Sequence, residues 1–321
     1  MNASNSKKRF DVTLVGEANI DLLLYGLPDD LPLERELLAD GMAMVLGGSP
    51  AITAHNLAAL GNKVGFITAA ANDPFAAICL RDLAAAGVDT SRAIQAGNEV
   101  ATGVTVLLQH QNQRHTFTYP GASHSIRFAD LDLDYLRDAR HFHLSSYFLQ
   151  NHLRADVPQL FAELKRAGLT ISLDTNDDPS GAWDPSIDEA LAYVDILMPN
   201  EREACHLAHE PKFDLAARRL SELAPLVVVK RGAQGAVAFT ESTTYSAPAR
   251  VVTAVDAVGA GDSFNAGFLH AWLKGESIEE CLAFGNLAGS YSATAVGGVA
   301  AFRNRPAMRE FFAEHAQQLK E

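Results

Sequence analysis

DAVGAGDSFNAGF, residues 256–268, is the most informative stretch of the sequence. It follows a β-like apolar run at residues 251–253 and continues into a helix-like segment that reaches Trp272. A Gly-Ala-Gly sequence that enters a helix gathers backbone amides without intrahelical partners at the positive end of the helix dipole. The stretch therefore predicts a strand, a tight turn and a helix whose N-terminus can bind an anion.

Asp262 falls in the first turn of this predicted helix. A carboxylate beside an anion site could accept a proton from a hydroxyl that attacks a bound γ-phosphoryl group. A simpler explanation also fits, in which Asp262 complements the helix dipole and the glycines only make a turn. The P-loop motif Gly-x-x-x-x-Gly-Lys-Ser/Thr is absent from the sequence. The dinucleotide-binding pattern Gly-x-Gly-x-x-Gly fails at Phe264, and this failure disfavours a nicotinamide dehydrogenase.

Apolar β-type runs alternate with helical segments along most of the chain. They occupy residues 11–16, 63–70, 141–148, 169–175, 195–199 and 226–230. Such alternation predicts an α/β fold, doubly wound, with a mostly parallel sheet flanked by helices. Helix starts are indicated by Ser49 and Asp73, each a capping residue before a proline, and helix ends by Gly61, Gly87 and Gly168.

Two regions interrupt this alternation, approximately residues 20–46 and 100–120. The second contains β-like runs at residues 102–109 and 114–119, joined by a polar turn at residues 111–113. Together the regions predict a small antiparallel sheet that serves as a lid over a ligand site, although a plain surface hairpin would give the same pattern. We predict one domain over residues 10–315 with this discontinuous lid, after a flexible tail of residues 1–9.

The composition narrows the range of partners. The 321 residues carry a formal net charge of −13, and no Lys/Arg run occurs outside residues 7–9, so nucleic acid is not expected as a partner. Cys79, Cys205 and Cys281 lack metal-ligand spacing, which favours a reducing, cytoplasmic compartment. No segment has the ~18 consecutive apolar residues of a membrane span, so a membrane is not expected either.

Two polar clusters remain open in interpretation. His141 and His143 are two positions apart on a strand-like run, which places both on one face, and His110 and His115 lie in the predicted lid. No acidic or Cys residue nearby completes a metal site. Structural or substrate-lining roles are therefore favoured over a metal site for these histidines. Asp174, Asn176 and Asp178 follow a predicted strand at its carboxyl end, where α/β sheets place ligands, but a turn-rich loop explains them as well.

Residues 256–264 closely resemble the second signature of the ribokinase/PfkB family of carbohydrate kinases. Residues 47–61, GGSPAITAHNLAALG, resemble the first signature, and the similarity extends from Gly16 to Gly298. The resemblance implies a ribokinase-like fold with a small β-sheet lid. It also implies ATP-dependent phosphorylation of a hydroxyl of a sugar or sugar acid, with Mg²⁺ and K⁺ as cations, and it allows a homodimer formed through the lid.

The resemblance carries functional residues over one position at a time. It makes Asp262 the general base and has Gly259, Ala260 and Gly261 hold the transferring phosphoryl group. The residues that it places at the sugar are Asn19, Asp21, Gly47, Gly48, Ser49 and Ile52. The residues that it places at the nucleotide are Asn200, Glu203, Lys230, Gly232, Ala233, Gly235 and Asn286. Glu203 would bind Mg²⁺ through water, and Asp256 and Val258 would enclose the monovalent cation.

Some of these positions have structural alternatives. Asn200 followed three residues later by Glu203 is also a helix capping box, and Lys230 and Asn286 would also suit solvated positions. Ile52 stands where many family members carry an asparagine that contacts the sugar, so the sequence predicts that ribose is a poor substrate. A nucleoside kinase of the same family, with Tyr147, Phe148 or Ile52 lining a base slot, stays open, as does a ligand-binding regulator that has lost turnover.

Overall fold

The computed structural model describes residues 8–28, 30–97, 99–110 and 113–318. Residues 1–7 of the predicted tail, and Gln111 and Asn112 of the predicted lid turn, lie outside the described residues. The Lys8 ammonium donates to the carbonyl of Arg137, and Arg9 pairs with Asp89. No helix in the described ranges is both long and apolar enough to cross a bilayer.

The strands are short and alternate with helices, as the apolar runs predict. In chain order the strands are β1 (Phe10–Val15), β2 (Asn19–Tyr25), β3 (Gly41–Gly47), β4 (Val64–Ile67), β5 (Ala69–Ala70), β6 (Ile94–Gln95), β7 (Val104–His110), β8 (Gln113–Tyr119), β9 (Ala139–Ser145), β10 (Thr170–Asp174), β11 (Ile196–Leu197), β12 (Leu226–Lys230), β13 (Ala236–Phe239) and β14 (Thr244–Ala247).

Helices lie between several of the strands and follow the last one. They are α1 (Ser49–Ala59), α2 (Pro74–Ala86), α3 (Leu133–Arg137), α4 (Val157–Arg166), α5 (Ile187–Leu191), α6 (Glu201–Leu207), α7 (Phe213–Ser221), α8 (Ala260–Lys274), α9 (Ile278–Ser292), α10 (Ala300–Arg303) and α11 (Arg305–Gln318). As predicted, Asp73 caps α2 by accepting from the Ala76 amide (2.9 Å), and Gly87 ends it in the left-handed conformation.

Among the described strands, eight form the main sheet in the order β14-β13-β12-β11-β10-β9-β1-β4. Every pairing from β4 to β12 is parallel, and only β13 and β14 are antiparallel. Successive residues of β12 pack into the two hydrophobic cores on opposite faces of this sheet. Val227 and Val229 pack with α4, α5 and α7, whereas Val228 packs with α1 and α8. The predicted doubly wound α/β architecture is confirmed, because a mostly parallel sheet buries apolar residues on both faces.

The lid is a separate four-stranded sheet in the order β3-β2-β7-β8. The predicted antiparallel sheet is wrong in one respect, since β2 and β7 pair in parallel while the other two pairings are antiparallel. Strands β2 and β7 come from the two separate lid regions, and a long crossover connects them, which permits parallel pairing. We use "the lid" for these four strands.

Three local predictions are also wrong. Residues 251–253 form no strand, because no neighbouring strand pairs with them and Val251 is exposed. The strand predicted at residues 141–148 ends at Ser145, and Tyr147–Leu149 form a 3₁₀ turn. Ser49 does not cap α1: Gly48, at φ +90°, is the N-cap, and the Ser49 side chain makes no capping hydrogen bond.

Candidate active site

Two cavities meet at the carboxyl edge of the main sheet. The smaller, which we call the lid cavity, has a volume of about 220 Å³ and lies between the lid and α1. The larger, the glycine cavity, has a volume of about 670 Å³ and lies against the Gly232–Gln234 turn and the first turn of α8. The residues that line both are Arg114, Asn176, Gly259 and Asp262. The site forms here because the loops that follow parallel strands all lie at the carboxyl edge of the sheet.

Asp262 lies at this junction because α8 begins just before it. Gly259, at φ +73°, is the N-cap, and a Cβ atom there would overlap the backbone of Gly298. Burial raises the pKa of the Asp262 carboxyl to about 8, although a hydrogen bond from Ser49 works in the opposite direction. A proton acceptor with a pKa near neutral pH is suited to general base catalysis.

The lid cavity is lined by oxygen-bearing side chains of β2 and β7. Burial raises the pKa of Asp21 to about 7, and the Asn19 amide donates to Asp21 (3.3 Å) and to Thr105 (2.9 Å). The Oδ1 atom of Asn19 is buried and has no partner among the described residues. Gly47 does not line the cavity, but it has no room for a Cβ atom because the Asp21 carboxylate packs against it.

Glu17 is a second buried carboxyl of the lid cavity, and it was not predicted. It accepts hydrogen bonds from the Ser146 hydroxyl (2.5 Å) and the Gln150 amide (2.8 Å), while burial raises its pKa to about 7. Its position directly after Gly16 at the end of β1 was the available signal. Thr105, Thr116 and Thr118 of the lid face the same cavity.

The glycine cavity contains all seven residues that were predicted to contact the nucleotide. Gly235, at φ +90°, approaches the Ala247 carbonyl so closely that any Cβ atom would overlap it. Asn286 is buried, and its amide donates to the same carbonyl (2.9 Å), so it ties α9 to β14 and does not face solvent. Its predicted contact with a nucleotide stays a prediction.

A buried cluster of charges lies beside the first turn of α8. The ammonium of Lys230 pairs with the fully buried Asp174, which also accepts from the Asn265 amide (2.5 Å). Burial opposes the charge of Lys230, but Asp174 and Glu203 outweigh it and raise its pKa. Lys230 is therefore a fixed cation and not the solvated turn residue that the sequence also allowed.

Asn200 and Glu203 form the capping box that the sequence offered as an alternative. The Asn200 side chain accepts from the Glu203 amide (2.9 Å), and the Glu203 carboxylate accepts from both the backbone (2.8 Å) and the side chain (2.5 Å) of Asn200. Burial raises the pKa of Glu203 to about 7. Because both carboxylate oxygens are occupied, any metal contact would have to be shared or made through water.

Asp256 and Val258 lie at the lid side of the α8 turn. The Asp256 carboxylate accepts from the Val258 amide (3.0 Å) and the Gly297 amide (2.9 Å), which joins the loop that was predicted to enclose a cation to the loop at Gly297. Val258 packs against Leu23 and Leu107 of the lid. No cluster of three or more His, Cys, Asp or Glu with metal-binding geometry occurs in the described ranges.

The side chains considered for a nucleoside base, and those in the loop after β10, do not all reach the two cavities. Tyr147 and Phe148 are buried in the core, where Tyr147 contacts Phe148 and Phe148 contacts Trp183, so they do not line the lid cavity as a nucleoside site would require. Asn176 lines both cavities, whereas Asp178 accepts from the amides of Ser180 and Trp183 and only shapes its loop.

The strand histidines are structural. His141 contacts Thr170 and Ser172, and His143 contacts Ser172, each at 2.7 Å, and burial lowers both pKa values to about 3. In the lid, His110 and His115 contact each other at 3.0 Å.

Comparison with known proteins gives a consistent result. Residues 9–304 match the model of the pfkB family carbohydrate kinase. The chain is 32% identical over 273 residues to ATP-dependent ribose-1-phosphate kinase of Halopiger xanaduensis, covering 82% of this chain and 87% of that protein. It is also similar to a putative ribokinase II of E. coli solved in complex with ATP and Mg²⁺ (TM-score 0.82, 25% identity, 95% and 100% coverage). Adenosine kinase from Sinorhizobium meliloti shares the fold (TM-score 0.83, 22% identity, 94% and 99% coverage).

Proposed function

Since the chain belongs to the pfkB family of carbohydrate kinases, we propose that it transfers the γ-phosphoryl group of MgATP to a hydroxyl of a sugar or sugar acid. In this proposal Asp262 is the general base. Like its family, the chain is a phosphotransferase that acts on alcohol groups. The observation that carries this proposal is that the lid cavity and the glycine cavity meet at Asp262. A base at the junction can reach an acceptor in one cavity while a donor occupies the other.

The glycine cavity fits ATP. Its volume of about 670 Å³ falls within the roughly 300–1,000 Å³ of small-molecule sites. Gly232 also lines it, and the space where a Cβ atom would stand is open, so a ligand can approach its backbone closely. The similar ribokinase II binds ATP and Mg²⁺, which supports the same pair here. Glu203, which lines this cavity, carries a carboxylate of the hard-oxygen kind that Mg²⁺ accepts, and it would hold the ion through water because both of its oxygens already accept hydrogen bonds. When bound, Mg²⁺ supplies positive charge that offsets the negative charge of the phosphates.

The protein groups contribute positioning and charge. Asp262 takes the proton of the acceptor hydroxyl, whose oxygen forms the new bond to phosphorus as the γ-phosphoryl group leaves ADP. Lys230, beside Gly261, stabilises the negative charge that is transferred. The Ala260 amide donates to the Ala257 carbonyl (3.2 Å), so we assign the anion contact chiefly to the next amides of the turn, those of Gly261 and Asp262.

The lid cavity favours a monosaccharide. Its volume of about 220 Å³ lies below the roughly 300 Å³ at which typical drug-sized sites begin. Asp21, Glu17 and the unpartnered Asn19 oxygen supply hydrogen-bond acceptors for sugar hydroxyls. Three carboxyl groups but only one guanidinium, that of Arg114, line the described part of this cavity, which favours an uncharged sugar over a sugar acid.

An ADP-release screen over sugars, sugar acids, sugar phosphates, polyols and nucleosides tests the proposal. We expect turnover with at least one monosaccharide, and loss of that turnover in Asp262→Asn. A higher kcat/KM for adenosine than for every sugar would favour the nucleoside kinase alternative. ATP binding without turnover of any acceptor would favour the regulator alternative.

The outer face of the lid supports a homodimer as a second proposal. Met42, Met44 and Phe117 on its strands, and Leu33 and Leu38 in the connecting segment, are exposed large hydrophobic residues. Apolar side chains grouped in one region commonly mark an interface. Sedimentation equilibrium should give a dimer that Met44→Glu and Phe117→Lys together convert to a monomer, whereas a monomeric unmodified protein would exclude the proposal.

A further inference from the structure

One side chain at the junction has a contact that its predicted role does not explain. Ser49 was predicted to contact the sugar or to cap α1, but its hydroxyl donates to the Oδ1 atom of Asp262. The positive φ of Gly48 turns the chain so that Ser49 is already the first residue of α1 and faces the first turn of α8. The serine hydroxyl thus lies at the oxygen that would accept the proton of the substrate.

Two further side chains of α1 contact the same turn of α8. The Thr53 hydroxyl donates to the backbone carbonyl of Asp262 (3.4 Å), and the Asn56 amide donates to the Ser263 hydroxyl (2.9 Å). Residues 49, 53 and 56 are spaced by four and three positions, so they share one face of α1. This face holds both the side chain and the backbone of Asp262, and Thr53 and Asn56 are fully buried.

We propose that Ser49 is a positioning residue for the general base: its hydroxyl orients the Asp262 carboxylate toward the lid cavity and stabilises the ionised form until the acceptor hydroxyl replaces it. This inference rests on the proposed function, since it assigns Ser49 a role only through Asp262. No new bond is made in this step. The serine keeps its proton, and the proton of the acceptor passes to Asp262.

The surroundings of Asp262 explain why such a donor matters. Asp174 from β10 and Glu17 from the end of β1 both disfavour a negative charge on Asp262, and Lys230 from β12 favours it. Arg114 of the lid lines the same cavity. Burial already favours the neutral form, and a hydrogen bond to a carboxylate selectively stabilises its charged form. Ser49 therefore acts in the same direction as Lys230, because both favour the ionised form of Asp262.

The pH dependence of kcat/KM for the best substrate in the screen tests the proposal, because it reports the ionisation of the free enzyme. In Ser49→Ala the acid limb should move to higher pH by about one to two units, the size expected for loss of a hydrogen bond to a charged group. The plateau at high pH should remain near that of the unmodified protein. Ser49→Thr keeps the hydroxyl and should return the limb toward its original position.

Two controls separate the possible outcomes. Ser221→Ala removes a hydroxyl that bonds only to backbone carbonyls of α7 and should leave the profile unchanged. In an Asp262→Asn background, Ser49→Ala should change kcat/KM little, since coupled residues are not additive. A uniform fall at every pH in Ser49→Ala, or an unmoved acid limb, would overturn the proposal for Ser49. Full activity of Asp262→Asn would instead overturn the proposed base itself.

Discussion

Replacing Asp262 with asparagine removes a negative charge from the junction of the two cavities and keeps the shape of the side chain. The amide oxygen of asparagine can still accept from Ser49, and the backbone contact from Thr53 is unaffected. The helix cap at Gly259 lies outside the change. We therefore expect the variant to fold and to bind ATP, while the acceptor hydroxyl loses its proton acceptor.

Two magnitudes follow from the structure. Loss of a general base lowers the rate by about 10² to 10⁴. The stability effect has the opposite sign: burial raises the pKa of Asp262 to about 8, so the native state favours the protonated form more than the unfolded chain does. The corresponding stability is complete below about pH 4, the usual range of an aspartate, and is lost as the pH rises through 8.

Asparagine does not ionise, so its advantage should grow with pH. Each pKa unit corresponds to about 1.36 kcal/mol, and the shift from 3.8 to about 8 sets an upper limit of roughly 6 kcal/mol above pH 8. Structural relaxation and water penetration reduce this figure to a few kcal/mol. The buried carboxylate at the junction therefore lowers the free energy of unfolding by this amount at alkaline pH.

Initial rates and thermal unfolding between pH 5 and 9 provide the assay. We expect kcat of Asp262→Asn to fall by at least 100-fold, and its Tm to exceed that of the unmodified protein by a margin that increases from pH 5 to pH 9. Near-normal turnover would refute the base assignment. A Tm difference that is constant across this range would refute the reasoning about the buried carboxyl, even if activity were lost.

Three further predictions follow from particular contacts. Gly261→Val should lower kcat with little change in Tm, because a Cβ atom at position 261 meets only the Lys230 side chain, at 3.9 Å. Gly259→Ala should lower Tm as well, because a Cβ atom there overlaps the Gly298 backbone. Equal losses of Tm in the two variants would contradict this contrast. Ribose should be a poor substrate because Ile52 offers its hydroxyls no hydrogen bond, a penalty of about 1–3 kcal/mol, and Ile52→Asn should raise kcat/KM for ribose relative to the best substrate. Efficient ribose turnover by the unmodified protein would exclude that role of Ile52. Activity should require a divalent cation and should be higher in K⁺ than in Na⁺ at fixed ionic strength; equal rates would remove K⁺ from the proposal.

Much of the fold could be read from local patterns. The Asp73–Pro74 pair and Gly87 predicted both ends of α2, because capping depends on residues within one turn of the helix. The segment from Gly259 to Asp262 predicted the tight turn and the start of α8 for the same reason. The two signatures predicted the family, which the match over residues 9–304 confirms.

The wrong predictions concern features that need a partner elsewhere in the chain. Residues 251–253 are apolar but no strand pairs with them, and β2 pairs in parallel with a strand about eighty residues later in the sequence. Ser49 looked like a helix cap because the sequence does not show that Asp262 lies opposite it. Tyr147 and Phe148 could have lined a slot for a nucleoside base, but both are buried in the core, where Phe148 packs against Trp183.

The sequence by itself determined the elements, the family and the residue types of the site, since each of these is expressed in short stretches of chain. Only the tertiary structure decided which groups share the space around Asp262. Glu17, Asp174 and Lys230 arrive there from three different strand ends. The raised pKa of Asp262 has no counterpart in the sequence, because it comes from burial and from charges that folding brings together.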